Sequence, residues 1–190
     1  SGAAEPGEAA VIVVRARDYT RELKPVGKQS QKFARWACMY TRTTGIWQTV
    51  WMEPVPDTAL LRPRITPDVD NGCFVLDQGV TQPRKGLRVR ATLRDAGGVI
   101  ATQERVLGTA FTPRLLLPVP PERRRLWGPG QPFLYDVDID LMDDEERVID
   151  SASSYAGLRS VAIDGKAICI NGVPVFQRLV LDQGYYPDGI

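Results

Sequence analysis

Seven short strand patterns, each closed by turn-forming residues, follow one another between residues 57 and 153. The patterns occupy residues 60–65, 73–76, 87–93, 99–106, 114–117, 133–141 and 147–153. The turns between them include Asp70-Asn71-Gly72, Asp95-Ala96-Gly97-Gly98, Gly128-Pro129-Gly130 and Asp143-Asp144. No segment sustains a helical period of 3.6 residues. Short strands at this even spacing predict an all-β fold in which two sheets pack face to face.

The number of strands narrows the architecture further. Seven strands within about 100 residues are typical of a β-sandwich of immunoglobulin type. The Cys…Trp…Cys spacing of antibody domains does not occur in the sequence. The pattern therefore predicts an immunoglobulin-like architecture and no closer relationship to antibody domains.

Strand patterns also precede this block. Residues 11–17 begin as a β-branched run, and residues 45–53 are rich in β-branched and aromatic side chains. Pro54 and Pro56 stop the second pattern, because proline cannot donate to a ladder. These prolines predict the first domain boundary.

Three more strand patterns follow Ser154. They occupy residues 161–163, 167–170 and 175–181. Asp164-Gly165 joins the first two, and Asn171-Gly172 stands between apolar runs. An Asn-Gly pair in that position predicts a tight β-hairpin.

The charge balance limits the partners of the chain. Lys and Arg number 24 and Asp and Glu number 23, so the net charge is +1 and no basic excess exists for a polyanion. We therefore expect no nucleic-acid partner, and we interpret the run Arg123-Arg124-Arg125 as a solvated turn. No apolar run approaches the ~18 residues that would span a bilayer, so we expect no membrane partner.

Histidine is absent from the sequence. Its absence removes Ser/His and Cys/His nucleophilic pairs and the commonest zinc ligand, and we expect neither a metal nor a cofactor. Cys38, Cys73 and Cys169 lack the spacing of metal ligands and are predicted to be buried structural thiols. Free thiols favour a reducing compartment such as the cytoplasm, while a sequence that begins at Ser1 without Met leaves localisation open.

Three motifs in a fixed order resemble those of family 2 glycoside hydrolases, the family of many β-galactosidases, β-glucuronidases and β-mannosidases. Residues 40–54 (YTRTTGIWQTVWMEP) resemble the closing strand of the family's sugar-binding domain. Residues 126–135 (LWGPGQPFLY) resemble its LWSP…P-x-LY stretch, late in an immunoglobulin-like domain. Residues 157–161 (GLRSV) with 170–176 (INGVPVF) resemble its GxR…LNGKPxFLRG entry into the catalytic barrel. The spacing leaves room for one sandwich, and the resemblance covers nearly the whole chain.

The resemblance implies a domain plan. Residues 1–55 would be the C-terminal part of a sugar-binding jelly-roll domain, and residues 57–153 a complete immunoglobulin-like sandwich. Residues 154–190 would be a linker and the first strand of a truncated (β/α)8 barrel. Members of the family retain stereochemistry with two Glu residues on later barrel strands. The resemblance thus implies that the catalytic pair lies beyond Ile190 and that no residue of this chain is catalytic.

The same resemblance suggests substrate contacts. Many members continue the first barrel strand as RGVNRHE; here Arg178 matches the Arg, but Gln183 and Gly184 replace the His and Glu, which puts the substrate in doubt. A loop after this strand would face the sugar, and it carries Asp182, Gln183, Tyr185, Tyr186 and Asp188. Lys28, Gln29 and Arg42 fall where the sugar-binding domain of some relatives leans over the active-site mouth. The alternative for both groups is an ordinary structural loop or sheet surface.

Two further sets of residues leave alternatives open. Asp136, Asp138 and Asp140 would share one face of a strand, either as a calcium site or, as we expect, as a solvated outer face. The cluster from Asp143 to Glu146 is interpreted as a hairpin tip. The side chains of Trp47, Trp51 and Trp127 would either stack on sugars or, as we expect, pack in the core or between domains.

Two functions follow from these interpretations. The first is a non-catalytic structural and sugar-binding region of a retaining glycoside hydrolase, similar to a β-galactosidase, which hydrolyses O-glycosidic bonds. Its partners would be the carbohydrate substrate and the rest of the parent chain, namely the barrel and the N-terminal domain. The second is a stand-alone carbohydrate-binding β-sandwich without hydrolytic activity. An interaction domain that mediates oligomers is a third possibility, supported only by fold-level analogy.

Overall fold

The computed structural model describes residues 7–19, 22–23, 27–46, 48–108 and 112–181. The chain forms two compact units. The larger unit is Glu53–Arg178, and the smaller one contains the described residues on either side of it. No helix among the described residues is long and apolar enough to cross a membrane.

All named strands lie in the larger unit. They are β1 (Arg64–Asp68), β2 (Cys73–Asp77), β3 (Arg88–Asp95), β4 (Gly98–Val106), β5 (Arg114–Pro118), β6 (Tyr135–Met142), β7 (Val148–Ala156), β8 (Val161–Asp164), β9 (Ala167–Ile170) and β10 (Val173–Pro174). A single turn of 3₁₀ helix, Pro121–Arg123, follows β5. The prediction of an all-β fold is confirmed, and each of the seven patterns between residues 57 and 153 corresponds to one strand, β1 to β7.

The strands form three antiparallel sheets. One sheet has the order β1-β2-β5, and a second has the order β4-β3-β6-β7. A third, smaller sheet has the order β10-β9-β8. In the three-stranded sheet, β2 pairs with β1 on one side and with β5 on the other. In the four-stranded sheet, the hairpins β3–β4 and β6–β7 are joined through the pairing of β3 with β6.

The core lies between the two larger sheets. On both sheets the inward side chains alternate with outward ones, as a strand period of two residues requires. The three-stranded sheet contributes Phe74, Leu76, Leu115 and Leu117, and the four-stranded sheet contributes Val89, Ala91, Leu93, Tyr135, Val137, Ile139 and Leu141. All eleven are almost completely buried. The face-to-face sandwich predicted from the sequence is therefore the observed arrangement.

The outer face of the four-stranded sheet is polar. Arg90 Nη2 lies 2.9 Å from Asp140 Oδ2, and Arg94 Nε lies 2.9 Å from Asp138 Oδ2. Ser153 Oγ donates to Asp138 Oδ1 at 3.1 Å. These contacts confirm the solvated outer face, since Asp138 and Asp140 pair with arginines across the strands. Among the described residues no cluster of His, Cys, Asp or Glu has an arrangement suited to a metal ion.

The predicted hairpins are present. Asn171 and Gly172 have φ values of +53° and +75°, the left-handed pair that a two-residue turn between β9 and β10 requires. Val173 pairs with Ile170 directly across this turn. The Asp143 turn is also the tip of the β6–β7 hairpin, where Asp143 Oδ1 accepts from the backbone N–H of Arg147 at 2.9 Å.

Four strand predictions were wrong in part or entirely. The first sandwich strand starts at Arg64 and not at Leu60, because Pro63 interrupts the run and Leu60 forms an isolated bridge with Val80. Residues 11–17 and 175–181, and the described part of 45–53, form no strand. Composition favours an extended chain, but a strand also needs a partner for its N–H and C=O groups, and no described segment supplies a ladder to these three.

The cysteines differ from one another. Cys169 is buried, as predicted, and Cys73 is half-buried. Burial raises the pKa of the Cys73 thiol, and the charge of Asp68 raises it further. The prediction was wrong for Cys38, which is exposed because it lies in the second central position of a tight turn.

Candidate functional site

Residues 27–44 of the smaller unit form a looped segment closed by backbone hydrogen bonds. The N–H of Tyr40 donates to the carbonyl of Lys28, and the N–H of Ser30 donates to the carbonyl of Tyr40, each at 2.8 Å. Ser30, which is buried, also donates through Oγ to the carbonyl of Ala34 at 2.8 Å. These bonds place the start and the end of the segment side by side.

A tight turn projects from this segment. The N–H of Met39 donates to the carbonyl of Trp36 at 2.9 Å, so Ala37 and Cys38 occupy the two central positions. Ala37 has φ of +49°, a left-handed conformation that is uncommon for a residue with a Cβ atom. The turn folds the backbone between Arg35 and Met39 back on itself.

The segment and its turn enclose a cleft of about 400 Å³. Its lining combines two cationic side chains with polar, aromatic and apolar groups: Lys28, Arg35, Ala37, Cys38, Met39, Tyr40 and Thr41. A volume in the range of about 300–1,000 Å³ is typical of sites for small molecules. The cleft is therefore the candidate functional site of the smaller unit.

The predicted substrate contacts have separate positions in this segment. Lys28 lines the cleft. Gln29 instead accepts a hydrogen bond through Oε1 from the N–H of Thr43 at 3.3 Å. The guanidinium of Arg42 lies 4.9 Å from the ring centre of Phe33. The five candidates of the later loop, Asp182, Gln183, Tyr185, Tyr186 and Asp188, lie outside the described residues.

Sequence reasoning missed Arg35 and Cys38 as lining residues. Neither belongs to a periodic pattern or to one of the three motifs, and both reach the cleft only because the chain reverses at Ala37. The four residues of this turn, 36–39, include no glycine. Nothing in the local sequence indicated a turn at this point.

In the larger unit, two of the motif stretches meet around Trp127. The N–H of Trp127 donates to the carbonyl of Leu158 at 2.8 Å. Asn171 Nδ2 donates to the carbonyl of Trp127 at 2.9 Å, and Asn171 Oδ1 accepts from the N–H of Ser160 at 3.0 Å. A single amide side chain thus connects the β9–β10 turn to both other segments. We call this arrangement the Trp127 junction.

The indole of Trp127 is enclosed on two sides. The guanidinium of Arg159 lies 4.5 Å from the ring centre, a cation–π contact. Gly157 approaches so closely that a Cβ atom there would lie 3.1 Å from Cβ and Cγ of Trp127. These contacts confirm that Trp127 packs within the structure. Trp51, by contrast, is 76% exposed and does not pack in the core, while its packing between domains stays a prediction. Trp47 lies outside the described residues.

Replacing Gly157 with Ala is expected to lower the free energy of unfolding by about 1 kcal/mol, because the new methyl group overpacks against the rigid base of the indole. Gly128→Ala is the control, since a Cβ atom at Gly128 would meet nothing within 4 Å. Urea denaturation followed by tryptophan fluorescence measures both variants. Equal destabilisation of the two would show that Gly157 is not packed against Trp127.

The arginine run is a turn, as predicted, but its side chains have structural partners. Arg123 Nε donates to Asp95 Oδ2 at 3.0 Å, and its Nη2 contacts Oδ1 of the same carboxylate. Arg124 Nε donates to the carbonyl of Val119 at 2.9 Å. The guanidinium of Arg125 lies 4.8 Å from the ring centre of Phe133. The run therefore fastens the 3₁₀ turn to the sandwich.

Several carboxylates of the larger unit are held in their ionised form. Hydrogen bonds from Arg114 lower the pKa of Asp77, and those from Arg123 lower the pKa of Asp95. Burial tends to raise the pKa of Asp143, but hydrogen bonds from the backbone and guanidinium of Arg147 outweigh it, so this pKa is also lowered. A general acid needs the opposite shift, and these three groups serve as structural anions.

The fold and the Trp127 junction define the larger unit as an antiparallel β-sandwich with an attached small sheet. The model of the glycosyl hydrolases family 2 matches residues 60–159, more than half of the chain. The chain belongs to this family, and the resemblance inferred from the three motifs is confirmed.

The chain is also similar to parts of individual proteins. A β-galactosidase of Aeromonas hydrophila is 29% identical over 150 residues, which cover 72% of this chain and 14% of the relative. A β-glucuronidase of Paenibacillus borealis is 30% identical over 110 residues, covering 57% and 17%. A solved β-glucuronidase from Ruminococcus gnavus has 23% identity and a TM-score of 0.48, covering 64% of this chain and 19% of that one. The matched region is thus less than a fifth of each relative.

Proposed function

We propose that this chain is a non-catalytic structural and sugar-binding region of a retaining glycoside hydrolase, similar to a β-galactosidase, that hydrolyses O-glycosidic bonds. The Trp127 junction is the observation that supports it. Asn171 ties the β8–β10 sheet to the sandwich through bonds of 2.9 and 3.0 Å. A rigid attachment of this kind suits an immunoglobulin-like spacer that orients the neighbouring regions of a large enzyme.

The small sheet also supports a contact with the rest of the parent chain. Its register places Val161, Ile170 and Val173 side by side, with Ile163 opposite Ile168. Residues directly opposite each other point to the same face, so these five apolar side chains share one face. Val161, Ile163 and Val173 are largely exposed there. An apolar face of this kind suits packing against another element, which we propose to be the catalytic barrel.

The proposed role includes the flanking residues. Residues 1–55 would belong to the sugar-binding domain, with Lys28, Gln29 and Arg42 towards the substrate. Residues 154–190 would lead into the (β/α)8 barrel, with Asp182, Gln183, Tyr185 and Asp188 in a loop that faces the sugar. The catalytic Glu pair would come from the parent chain outside residues 1–190, and the paired state of Asp77, Asp95 and Asp143 supports a structural use of acidic groups here.

A panel of chromogenic β-glycosides tests this proposal. The 190-residue chain is expected to release no chromophore above the buffer rate, whereas the protein encoded by the complete reading frame is expected to hydrolyse at least one substrate and so to identify the sugar. Hydrolysis by the 190-residue chain that rises in proportion to its concentration would contradict the non-catalytic role.

A stand-alone carbohydrate-binding module is the second candidate. The exposed indole of Trp51 favours it, because an aromatic ring open to solvent can stack on the C–H face of a sugar. Calorimetric titration with oligosaccharides, comparing the wild type with Trp51→Ala, tests this function. Saturable binding lost in the variant, together with an inactive complete protein, would favour the module over the hydrolase region.

A further inference from the structure

We propose that the cleft between Lys28 and Thr41 binds an acidic sugar, with the sugar carboxylate held between the side chains of Lys28 and Arg35. The inference rests on the proposed sugar-binding role of the smaller unit and deepens it, because it names the class of sugar that this unit binds. Family membership supplies the expectation that the ligand is a sugar. The charge of the cleft supplies the expectation that the sugar is acidic.

The charge argument depends on which cations of the segment already have partners. Lys32 lies 4.3 Å from the ring centre of Trp36, and Arg42 lies 4.9 Å from that of Phe33. Lys28 and Arg35 line the cleft instead, and within the described part of the chain neither forms an ion pair. Two cations on one concave surface that form no ion pair with another described residue favour an anionic ligand, and a guanidinium matches a carboxylate in particular.

The other lining groups fit the remainder of a sugar. Tyr40 contributes an aromatic ring and Met39 a thioether, surfaces suited to the C–H face of a pyranose. Thr41 adds a polar edge beside them. A volume of about 400 Å³ accommodates a single sugar ring with its carboxylate. A free inorganic anion would leave the apolar part of this lining without a partner.

The backbone around the cleft holds the two positions that carry the cations. Lys28 is held through its carbonyl by the N–H of Tyr40 at 2.8 Å, a bond that does not involve its side chain. Arg35 precedes the turn at Ala37, whose left-handed backbone costs conformational energy. Left-handed non-glycine residues of this kind recur at binding sites, and here the turn directly follows Arg35, which lines the same cleft as Lys28.

Calorimetric titration of the full 190-residue chain with glucuronate, glucose and inorganic phosphate tests the proposal. Glucuronate is expected to bind about tenfold or more tightly than either of the others, and the binding is expected to weaken as the salt concentration rises. The double variant Lys28→Gln/Arg35→Gln is expected to lose about tenfold or more of the glucuronate affinity. Lys85→Gln/Lys166→Gln, which removes the same charge from the larger unit, is expected to retain it.

A second variant tests the same cleft in case the double variant Lys28→Gln/Arg35→Gln fails to fold. Cys38→Glu changes an exposed lining residue and adds a carboxylate to the cleft, so it too is expected to abolish glucuronate binding while leaving the thermal midpoint unchanged. Equal affinity for glucuronate and glucose, equal affinity for glucuronate and phosphate, or no binding at all would each overturn the proposal. Because titration involves no hydrolysis, these failures are distinguishable from failure of the proposed enzyme role.

Discussion

Replacing Phe74 with Ala is expected to lower the free energy of unfolding by about 3 to 5 kcal/mol, the largest effect that we predict for a single substitution. Phe74 lies on β2, the middle strand of the three-stranded sheet, and is fully buried. Its ring meets that of Tyr135 from the opposite sheet edge-on, with ring centres 5.5 Å apart. The substitution therefore opens a cavity between the two sheets, where neither side can close it without moving a whole strand.

The neighbouring residue provides the control for this prediction. Val75 faces the outer side of the same strand and is half-buried, so Val75→Ala is expected to cost less than about 1 kcal/mol. Urea denaturation followed by circular dichroism measures both variants at equal protein concentration. A larger loss for Val75→Ala than for Phe74→Ala would mean that the strand presents its other face to the core, because a shift of one residue exchanges the two faces.

The sandwich was predictable because its signals are local. Alternation of apolar and polar residues along β6 distinguishes Val137, Ile139 and Leu141 from the three aspartates between and before them, and the structure buries the first set and pairs two of the second. The turns at Asp95 and Asn171 could also be predicted from local residues. The Asp95 carboxylate accepts a hydrogen bond from the backbone of its own turn, and Asn171 adopts the positive φ that its turn requires. These features need no knowledge of distant contacts.

The strand patterns before residue 54 and after residue 174 were not reliable in the same way. Residues 11–17 and 175–181 have the composition of strands, yet the structure leaves them without ladder partners. The side chain of Phe176 is 86% exposed there. Composition reports how well a side chain suits a pleated, half-buried surface, whereas pairing depends on whether another edge lies alongside. The second condition is a property of the whole fold and not of the segment.

The candidate site, too, could be predicted only in the part that has a local sequence signal. The resemblance identified Lys28, which lines the cleft, together with Gln29 and Arg42, which make contacts elsewhere in the segment. Arg35 carries no local signal, because its approach to Lys28 depends on a turn centred on an alanine. A family motif identifies the segment that forms a site, but the direction of each side chain depends on the path of the backbone.

The LWGPGQPFLY motif has a physical explanation in the structure. The carbonyl of Trp127 accepts a hydrogen bond from Asn171, which lies in the turn of the small sheet. Tyr135, eight residues further on, is buried in the core. Burial raises the pKa of the Tyr135 hydroxyl, so this group remains protonated and can donate a hydrogen bond. It donates to the carbonyl of Arg123 at 2.8 Å and accepts from the N–H of Arg125 at 2.7 Å. One hydroxyl thus fastens the arginine turn to the sandwich.

Tyr135→Phe is therefore expected to lower the free energy of unfolding by about 2 to 3 kcal/mol, although it removes a single oxygen atom. The ring would keep its edge-on contacts with Phe74 and Phe133, so the loss reports the hydroxyl alone. Removing the hydroxyl leaves a backbone N–H and a backbone C=O without their partner in a part-buried turn, and such groups are costly when they have no replacement. Urea denaturation of the variant measures the effect.

Tyr155→Phe is the matched control, because this tyrosine stands on the outer face of β7 with 69% of its surface exposed. Water replaces any partner of its hydroxyl, and we expect a change within about 0.5 kcal/mol. If the two Tyr→Phe variants lost the same small amount, the Arg123 and Arg125 backbone groups would be solvated and the turn would not depend on Tyr135. If only Tyr135→Phe lost stability, the hydroxyl would be the fastening point between the motif and the core, and the motif's final tyrosine would be explained by a structural requirement and not by contact with a sugar.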